Sequence, residues 1–451
     1  MHMPNRFTYT TFSLDNERRR VNFSYQLYHD DQQYNFTESL LFPVALPDST
    51  AITNALRSLH LASGISYYKI FVSPAIEHSY SMTSDEAAFW NNVWRNGLGE
   101  FLYVNKLSPE LLAQFSQQDG ESSLPVAAMH EAAGAVLGIG GGKDSIVAGE
   151  LLKACGVDVH GFVMATGEQR GQAASVSEAM GVPIHVVERS LDRELLTVQQ
   201  QPGAYRGHVP ISLIFGLVGT VLALATGKQY VVVANEASAS IPRVTGEHGD
   251  VNHQWSKSFS FEQSFQAYVQ TYIAEVTYFS AVRQLTSVGV AKVFARYPAY
   301  FSVFTSDNSV FRIDPSQRPN TLWSLESPKS LSSFMLLAPW LTETEMISIF
   351  GRDFLNETSL ETLFLELTGL QGEPPLDCVG TVDELIVSLN LAYLQGKYAT
   401  SYLVGVAIER GVIQLNDWQA QQNTMLTLQP EQALPTELET AITDKLKDLL
   451  R

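Results

Sequence analysis

The strongest chemical pattern in this sequence lies at residues 140–145, where three glycines are followed by a lysine, an aspartate and a serine. An apolar run at 135–139 precedes them, and apolar residues at helical spacing follow from Ile146. A buried strand that turns on glycines into a helix directs backbone N–H groups and the positive end of the helix dipole to one spot. The pattern therefore predicts a phosphate-binding loop made of Gly140, Gly141, Gly142, Lys143, Asp144 and Ser145.

Two common phosphate motifs do not fit this loop. A Walker A loop needs glycine where Leu137 stands, and the dinucleotide motif needs its third glycine where Lys143 or Ser145 stands. The loop resembles that of the PP-loop ATP pyrophosphatases, Ser-Gly-Gly-x-Asp-Ser, with Gly140 in place of the serine. This resemblance implies that ATP is split between its α and β phosphates and that a substrate oxygen is adenylated. A glycine turn with only a packing role is the alternative.

The surrounding sequence alternates strands with helices. Apolar runs at 135–139, 157–164, 184–187 and 230–234 are typical of a parallel sheet, which binds ligands beyond the carboxyl ends of its strands. Residues at these ends predicted to contact ATP are Met164, Thr166 and Asn235. Asp144 and Glu236 are the candidate ligands of Mg²⁺, which prefers carboxylate oxygens.

A long polar loop, 235–258, follows the last of these strands and predicts a functional segment. His253 in this loop and His208 before it are the preferred proton carriers, because imidazole titrates near neutrality. Lys143 and Cys378 complete the catalytic candidates, although a buried structural thiol is the alternative for Cys378. The residues predicted to bind an anionic substrate are Arg206, Arg243, Asn252, Gln254, Lys257 and Ser258.

The fold class predicted for the whole chain is α/β. Residues 1–125 are predicted to form an α+β domain, because alternating residues near 7–11, 20–27 and 34–42 indicate an antiparallel meander. Helical patterns follow the meander at about 49–62 and 85–104. A polar bridge at 117–125 leads to a Rossmann-like, HUP-type PP-loop domain at 126–345, and residues 346–451 are mainly helical.

Composition limits the choice of partners and compartment. The 451 residues carry a formal net charge of −18, which disfavours nucleic acid as a partner. Two cysteines exclude a disulfide framework and favour the cytoplasm. The uncharged run 209–227 is long enough to span a bilayer, but its Pro, Gly and Thr residues favour a buried core helix, so no membrane insertion is predicted.

Beyond the PP-loop, the chain resembles the UDP-N-acetylmuramoyl-L-alanyl-L-glutamate epimerases, the MurL family. The segments that carry the likeness are 66–71, 97–102, 140–145, 208–212, 234–239, 251–258 and 378–381, above all Asn-His-Gln-Trp-Ser-Lys-Ser at 252–258. The resemblance implies an epimerase that uses ATP and Mg²⁺ to invert the terminal L-glutamate of a UDP-muramoyl dipeptide through an acyl-adenylate. Its product would serve peptidoglycan synthesis.

One segment departs from the family pattern. Cysteines common in the family near Trp323 are replaced here by Ser324, Ser327 and Ser330, and Asp307 stands where a further cysteine is expected. Serine is a poor zinc ligand, so the sequence predicts no structural zinc there. A PP-loop ligase or amidotransferase, and a nucleotide-binding protein without catalysis, are the alternative functions. The oligomeric state is left open.

Overall fold

A mixed β-sheet organises the residues that the computed structural model describes, which are 5–118, 132–166, 169–311, 318–413 and 418–451. The strands are β1 Arg6–Asp15, β2 Arg20–His29, β3 Gln32–Leu41, β4 Ile76–Glu77, β5 Ala135–Gly138, β6 Val159–Ala165, β7 Ile184–Ser190, β8 Tyr230–Val233, β9 Val244–Gly246, β10 Gly249–Val251 and β11 Thr277–Ser280. Within the described ranges, nine of them form one sheet in the order β11-β8-β5-β6-β7-β3-β2-β1-β4. β9 and β10 form a separate hairpin.

Helices cover both faces of this sheet. They are α1 Thr50–Tyr68, α2 Ser84–Gly97, α3 Gly99–Asn105, α4 Lys143–Ala154, α5 Gln169–Met180, α6 Glu194–Val198, α7 Ile211–Thr226, α8 Phe259–Tyr272, α9 Ser287–Phe294, α10 Pro328–Leu337, α11 Glu343–Phe350, α12 Glu361–Leu367, α13 Val382–Leu394, α14 Tyr402–Glu409, α15 Trp418–Met425 and α16 Thr436–Leu450. Successive residues of β5 point into different cores, because side chains alternate along a strand. Val136 joins the core of α1 and α7, and Leu137 joins that of α4 and α9.

The predicted meander is confirmed, and it continues the central sheet. β1, β2 and β3 pair antiparallel, and β3 then pairs antiparallel with β7, the outer strand of the parallel part. At this junction the buried Arg189 guanidinium donates to both carboxylate oxygens of Glu38, at 2.7 and 3.1 Å. The predicted domain division stays a prediction. Residues 119–125 of the predicted bridge, and with them the predicted boundary at 125, lie outside the described residues.

The uncharged run near 209–227 forms α7, whose middle is buried between α1 and the sheet. Among the described residues, no helix is both long and apolar enough to cross a membrane. The prediction of a core helix is therefore confirmed. The four predicted parallel strands and the helical region after 346 are also confirmed for the described residues, whereas β11, a four-residue strand, was not predicted.

The helix predicted at 85–104 is broken in two, which corrects the sequence prediction. α2 ends at Gly97, Leu98 leaves helical geometry with φ −96° and ψ 8°, and α3 begins at Gly99. Flanking glycines favour such a break because they have low helix propensity. A Cβ on Gly97 would lie 2.9 Å from the Pro210 ring, so glycine also permits close packing there. The break places Glu100 in the first turn of α3, facing the His208 segment.

Asp307 organises the segment that lies behind the glycine loop. Its buried carboxylate accepts hydrogen bonds from Ser309 N at 2.7 Å, Ser324 N at 2.8 Å and Ser330 Oγ at 3.1 Å. Ser324, through its backbone N–H, and Ser330, through its hydroxyl, therefore serve as hydrogen-bond donors in this network. Thr305, two residues before Asp307, donates its backbone N–H to Gly141 O at 3.0 Å, so the network supports the glycine loop.

Replacing Asp307 with alanine should lower the free energy of unfolding by roughly 1–3 kcal/mol, because several buried donors lose their acceptor. Chemical denaturation at pH 7 measures this loss. Burial raises the pKa of Asp307, but the donors from Ser309 and Ser324 outweigh it and hold the pKa below its ordinary value. The stabilisation by ionised Asp307 is therefore fully present above the pKa of an unfolded aspartate, about 3.9, and is lost as the pH falls through the pKa of Asp307 in the folded protein. Acid should accordingly reduce the difference in the free energy of unfolding between the wild type and the variant.

Asp444→Ala is the matched control for this measurement, because the Asp444 carboxylate is exposed and pairs only with Lys447 in the same helix. Its effect should stay within about 0.5 kcal/mol. An Asp307→Ala variant as stable as this control would contradict a structural role for the network.

Candidate active site

The glycine loop joins β5 to α4 as the sequence predicts. Gly141 has φ +94°, a left-handed conformation that favours glycine. Gly142 is the N-cap of α4, and no side chain of the described residues caps this helix. The first N–H groups of α4 therefore remain available to an anion, together with the positive end of the helix dipole.

The loop opens onto a cavity of about 680 Å³ at the carboxyl ends of β5, β6 and β8. We call it the active-site cavity. The predicted site residues that line it are Gly140, Gly142, Lys143, Asp144, Ser145, Met164, His208, Asn235, Glu236, His253, Gln254, Lys257 and Cys378. Tertiary structure thus brings together residues separated by more than two hundred positions in the sequence.

The other predicted site residues do not line this cavity. Arg206 is exposed and donates through Nε to Gln199 O at 2.9 Å. Asn252 donates to Ala239 O at 2.9 Å, and Ser258 caps α8 by accepting from Phe261 N at 3.2 Å. Gly141 and Thr166 also lie outside the lining.

Arg243 supports the segment that carries Cys378. Its guanidinium donates to Gly380 O at 2.9 Å and to Val379 O. Burial lowers the pKa of Arg243. The structure therefore gives this arginine a positioning contact on the backbone directly after Cys378, and it does not line the cavity that would bind the substrate.

Cys378 lies between two basic side chains inside the cavity. Lys257 Nζ is 3.3 Å from its Sγ, and His253 Nε2 is 3.6 Å from the same atom. Burial raises the pKa of the Cys378 thiol, but Lys257, Lys329 and His253 together lower it to about 6. The thiol is therefore largely ionised at neutral pH, which makes it a base and a nucleophile.

His253 connects this thiol to a carboxylate. Its Nδ1 lies 2.8 Å from Glu100 Oε2, and the same oxygen is 3.2 Å from His208 Nδ1. Burial lowers the pKa of His253, but Cys378 and Glu100 raise it more, to about 9, so it is cationic at neutral pH. Burial dominates at His208 and lowers its pKa to about 4, which leaves it neutral. One histidine of the pair is charged and the other is neutral.

Glu100 was not predicted from the sequence, although it falls in one of the segments that carry the family resemblance. Lys329 and Asp377, which line the cavity and pair with each other at 3.5 Å, were not predicted either. Nothing in the spacing of these residues connects them to residues 140–145 or 253. A buried arginine, Arg283, was missed as well.

Arg283 holds the two segments that bear the polar groups of the cavity. Its guanidinium donates to Glu236 O at 2.8 Å, to Lys257 O at 2.7 Å and to Glu262 Oε2 at 2.8 Å. The side chains of Arg283 and Glu262 are fully buried. Because the arginine binds the backbone after β8 and the backbone of the 252–258 segment, it fixes one relative to the other.

Asp144 and Glu236, the candidate Mg²⁺ ligands, both line the active-site cavity. Burial and repulsion from the nearby Asp144 raise the pKa of Glu236, which disfavours the ionised form of Glu236. Lys143 Nζ lies 3.0 Å from Asp144 Oδ1 and offsets part of this repulsion. A divalent cation would relieve the remainder, so the donor set fits Mg²⁺.

Two further groups of metal-type donors share His253. Among the described residues, Glu100, His208 and His253 have ligand atoms within 4.8 Å of one another, and so do His253, Asp377 and Cys378. The hydrogen bonds of Glu100 and Cys378 already engage His253 on both ring nitrogens.

The fold and this cavity are those of a mixed α/β protein with a glycine-rich loop at the carboxyl end of an interior strand of its sheet. The chain belongs to the MurL family: the model of the MurL N-terminal domain matches residues 1–281, and that of the MurL C-terminal domain matches residues 303–423. The likeness to the PP-loop enzymes stays a prediction.

Curated relatives cover most of the chain. A protein of Xanthomonas oryzae pv. oryzae is 34% identical over 91% of this chain and 92% of its own length. A protein of Salinispora tropica is 30% identical over 89% of this chain and 88% of its own length. A protein of a Micromonospora species is also 30% identical, over 89% of this chain and 90% of its own length. All three are named UDP-N-acetyl-alpha-D-muramoyl-L-alanyl-L-glutamate epimerase. Epimerases are isomerases, and this chain is accordingly an enzyme of that class.

The rate of Cys378 alkylation by iodoacetamide should rise with pH around a midpoint of about 6, because only the thiolate reacts. Mass spectrometry of the labelled peptide measures this rate. Lys257→Ala should move the midpoint upward, since the variant removes a cation that stabilises the thiolate.

Cys155 provides an internal control in the same molecule, because burial raises the pKa of its thiol. Its labelling should increase only at higher pH. A Cys378 midpoint at or above the ordinary thiol value of about 8.5 would show that the neighbouring cations do not activate it.

Proposed function

We propose that the protein is an ATP- and Mg²⁺-dependent epimerase that inverts the terminal L-glutamate of UDP-MurNAc-L-Ala-L-Glu through an acyl-adenylate, in peptidoglycan precursor synthesis. The observation that carries this proposal is the contact of Cys378 with His253 and Lys257 in the cavity onto which the glycine loop opens. A phosphate-binding loop alone would fit many activities. An acid–base pair beside it fits the removal and return of a proton.

The need for ATP follows from the chemistry of the α-carbon. Removing a proton next to a carboxylate creates a carbanion beside a full negative charge, which is strongly unfavourable. Adenylation removes that charge and creates an ester-like carbonyl that accepts the electron pair as an enolate. Hydrolysis of the acyl-adenylate after inversion would release AMP and the product carboxylate.

ATP would lie with its phosphates on the glycine loop. Burial lowers the pKa of Lys143, but Asp144 and Glu236 outweigh this effect and raise it, so its ammonium is available to the departing pyrophosphate. Asp144 and Glu236 would hold Mg²⁺, which would neutralise charge on the phosphates. Gln254 has a buried Nε2 without a hydrogen-bond partner among the described residues, so this donor is available to a substrate oxygen.

Proton transfer would use the Cys378–His253 pair. The Cys378 thiolate takes the α-proton, and the His253 imidazolium delivers a proton to the opposite face of the planar enolate. This leaves a neutral thiol and a neutral imidazole, and transfer of one proton from Sγ to Nε2 restores the ion pair. The α-carbon must lie between the two groups, so their 3.6 Å separation would widen when the substrate binds.

Glu100 would keep His253 oriented and protonated through its bond to Nδ1. Lys257 would keep Cys378 ionised, because Cys378 in turn raises the pKa of this lysine despite its burial. Both cysteines are free thiols in the described residues. We propose the reducing cytoplasm as the location, where such thiols persist.

Reaction in D₂O should place deuterium on the α-carbon of the terminal glutamate only when ATP and Mg²⁺ are present. His253→Ala and Cys378→Ala should each slow inversion by about 100-fold or more, because each removes a proton carrier. Pyrophosphate release should persist in both variants. Mass spectrometry and chiral analysis of the released glutamate provide the measurement.

Cys155→Ala is the matched control, since Cys155 lies at the end of α4 outside the active-site cavity. It should retain wild-type inversion. If the wild type consumes ATP without incorporating deuterium, the epimerase proposal fails and a ligase takes its place.

The nucleotide products of the wild type should be AMP and pyrophosphate. Lys143→Ala should reduce pyrophosphate release by about 100-fold, because it removes the cation that faces the leaving group. Lys447→Ala, which changes an exposed lysine of α16, should have no effect. Anion-exchange chromatography separates the products, and the appearance of ADP and orthophosphate would refute the assignment of the loop.

A further inference from the structure

A second cavity, of about 670 Å³, lies beside the active-site cavity. We call it the hairpin cavity, because the β9–β10 hairpin forms one wall. The end of α2, α3 and the residues after α3 form the other wall. Its size matches that of the active-site cavity, and both fall in the range of about 300–1,000 Å³ that binds a drug-sized ligand.

The two cavities share the segment 252–258 as a wall. Asn252, Trp255 and Ser258 face the hairpin cavity. The residues of the same segment that line the active-site cavity are His253, Gln254, Ser256 and Lys257. α3 also connects the two cavities, because Gly99 and Tyr103 line the hairpin cavity while Glu100 between them contacts His253, which lines the active-site cavity.

The hairpin cavity carries groups suited to a nucleotide. Arg95 and Lys106 line it, are exposed, and have no side-chain hydrogen bond or ion pair with any described residue. Free guanidinium and ammonium groups of this kind bind phosphate oxygens. Tyr103 and Trp255 offer aromatic faces for a base.

Acidic groups also line the hairpin cavity, and they fit hydroxyl groups better than phosphates. Asp250 accepts a hydrogen bond from Thr245 Oγ1 at 2.7 Å, so it is partly engaged, whereas Glu247 is exposed in the hairpin turn. Carboxylates accept hydrogen bonds from sugar hydroxyls. The cavity therefore offers cationic partners for a diphosphate, aromatic faces for a base and carboxylates for sugar hydroxyls.

We infer that the hairpin cavity binds the nucleoside diphosphate end of the substrate, while the terminal glutamate lies in the active-site cavity; this inference rests on the proposed function. A cavity of about 680 Å³ that takes ATP and a glutamate is already well filled by one nucleotide. The second nucleotide of the reaction, carried by the muramoyl substrate, therefore needs a space of its own. The hairpin cavity is adjacent and has a comparable volume.

The test is substrate truncation combined with Arg95→Ala and Lys106→Ala. For UDP-MurNAc-L-Ala-L-Glu the KM should rise about tenfold or more in each variant, because a charge-assisted hydrogen bond is lost. For MurNAc-L-Ala-L-Glu, which lacks UDP, the KM should be unchanged by the substitutions. The KM for ATP should also be unchanged, and Arg95→Lys should retain part of the affinity.

Arg193→Ala is the matched control, because Arg193 is exposed and lines neither cavity. It should leave every KM at the wild-type value. Two outcomes would overturn the inference while leaving the epimerase intact. In the first, Arg95→Ala and Lys106→Ala raise the KM equally for the two muramoyl substrates. In the second, both variants keep the wild-type KM for both substrates.

Calorimetric titration with UDP alone separates this inference from the proposed function. UDP should bind the wild type, and Arg95→Ala should weaken binding about tenfold or more. If the wild type fails to epimerise but still binds UDP through Arg95, the proposed function fails and the nucleotide site stands. If UDP does not bind or binds both proteins equally, the site fails.

Discussion

The buried guanidinium of Arg283 is the constraint on which the geometry of the active-site cavity depends. It pairs with Glu262, which also accepts the backbone N–H of Ser280, and it bonds the backbone oxygens of Glu236 and Lys257. A buried charge is tolerated only when its partners satisfy it, and removing one partner of such a pair typically costs about 3–5 kcal/mol. The ion pair therefore fixes where the ends of β8 and β11 meet the segment that carries His253 and Lys257.

A second set of contacts places the thiol. Cys378 lies in a segment without regular secondary structure, and Arg243 fixes the two carbonyl groups that follow it. Glu100 fixes the imidazole on the other side. Cys378, Lys329 and the segment that carries His253 and Lys257 come from different parts of the chain, so the low pKa of the Cys378 thiol is a property of their assembly. A thiol on an isolated peptide would keep its ordinary pKa.

The net charge of −18 conceals a local balance inside this cavity. Lys143, Lys257 and Lys329 line it together with the carboxylates of Asp144, Glu236 and Asp377. Buried charges of both signs stabilise each other in a low-dielectric site, and a polyanionic substrate can replace the carboxylates as the partner of the lysines. The net charge of the whole protein therefore does not determine the charge of the groups that line the cavity.

The sequence by itself determined the local elements and the glycine loop. Glycines before Lys-Asp-Ser, alternation in β1 to β3 and the apolar run of α7 are local signals, since they depend only on strand and helix periodicity and on glycine conformation. These signals predicted the parallel strands and the meander, and most of the site residues named from the sequence line the active-site cavity. The same signals predicted one continuous helix where α2 and α3 are separate, because the packing of Gly97 against Pro210 contributes to the break and cannot be read from the local sequence.

Only the tertiary structure decided which polar residues meet. It joined the meander to the parallel sheet through β3 and β7, brought Cys378 to His253, and added Glu100, Asp377 and Arg283 to the site. It also assigned Arg243 to the support of a backbone segment and Arg206 to the surface. The contacts of Cys378 and Glu100 with His253 join residues more than one hundred positions apart. A charged residue also has the same local signature whether it binds a ligand, a backbone oxygen or water. Long-range packing therefore carries the information that the spacing of residues lacks.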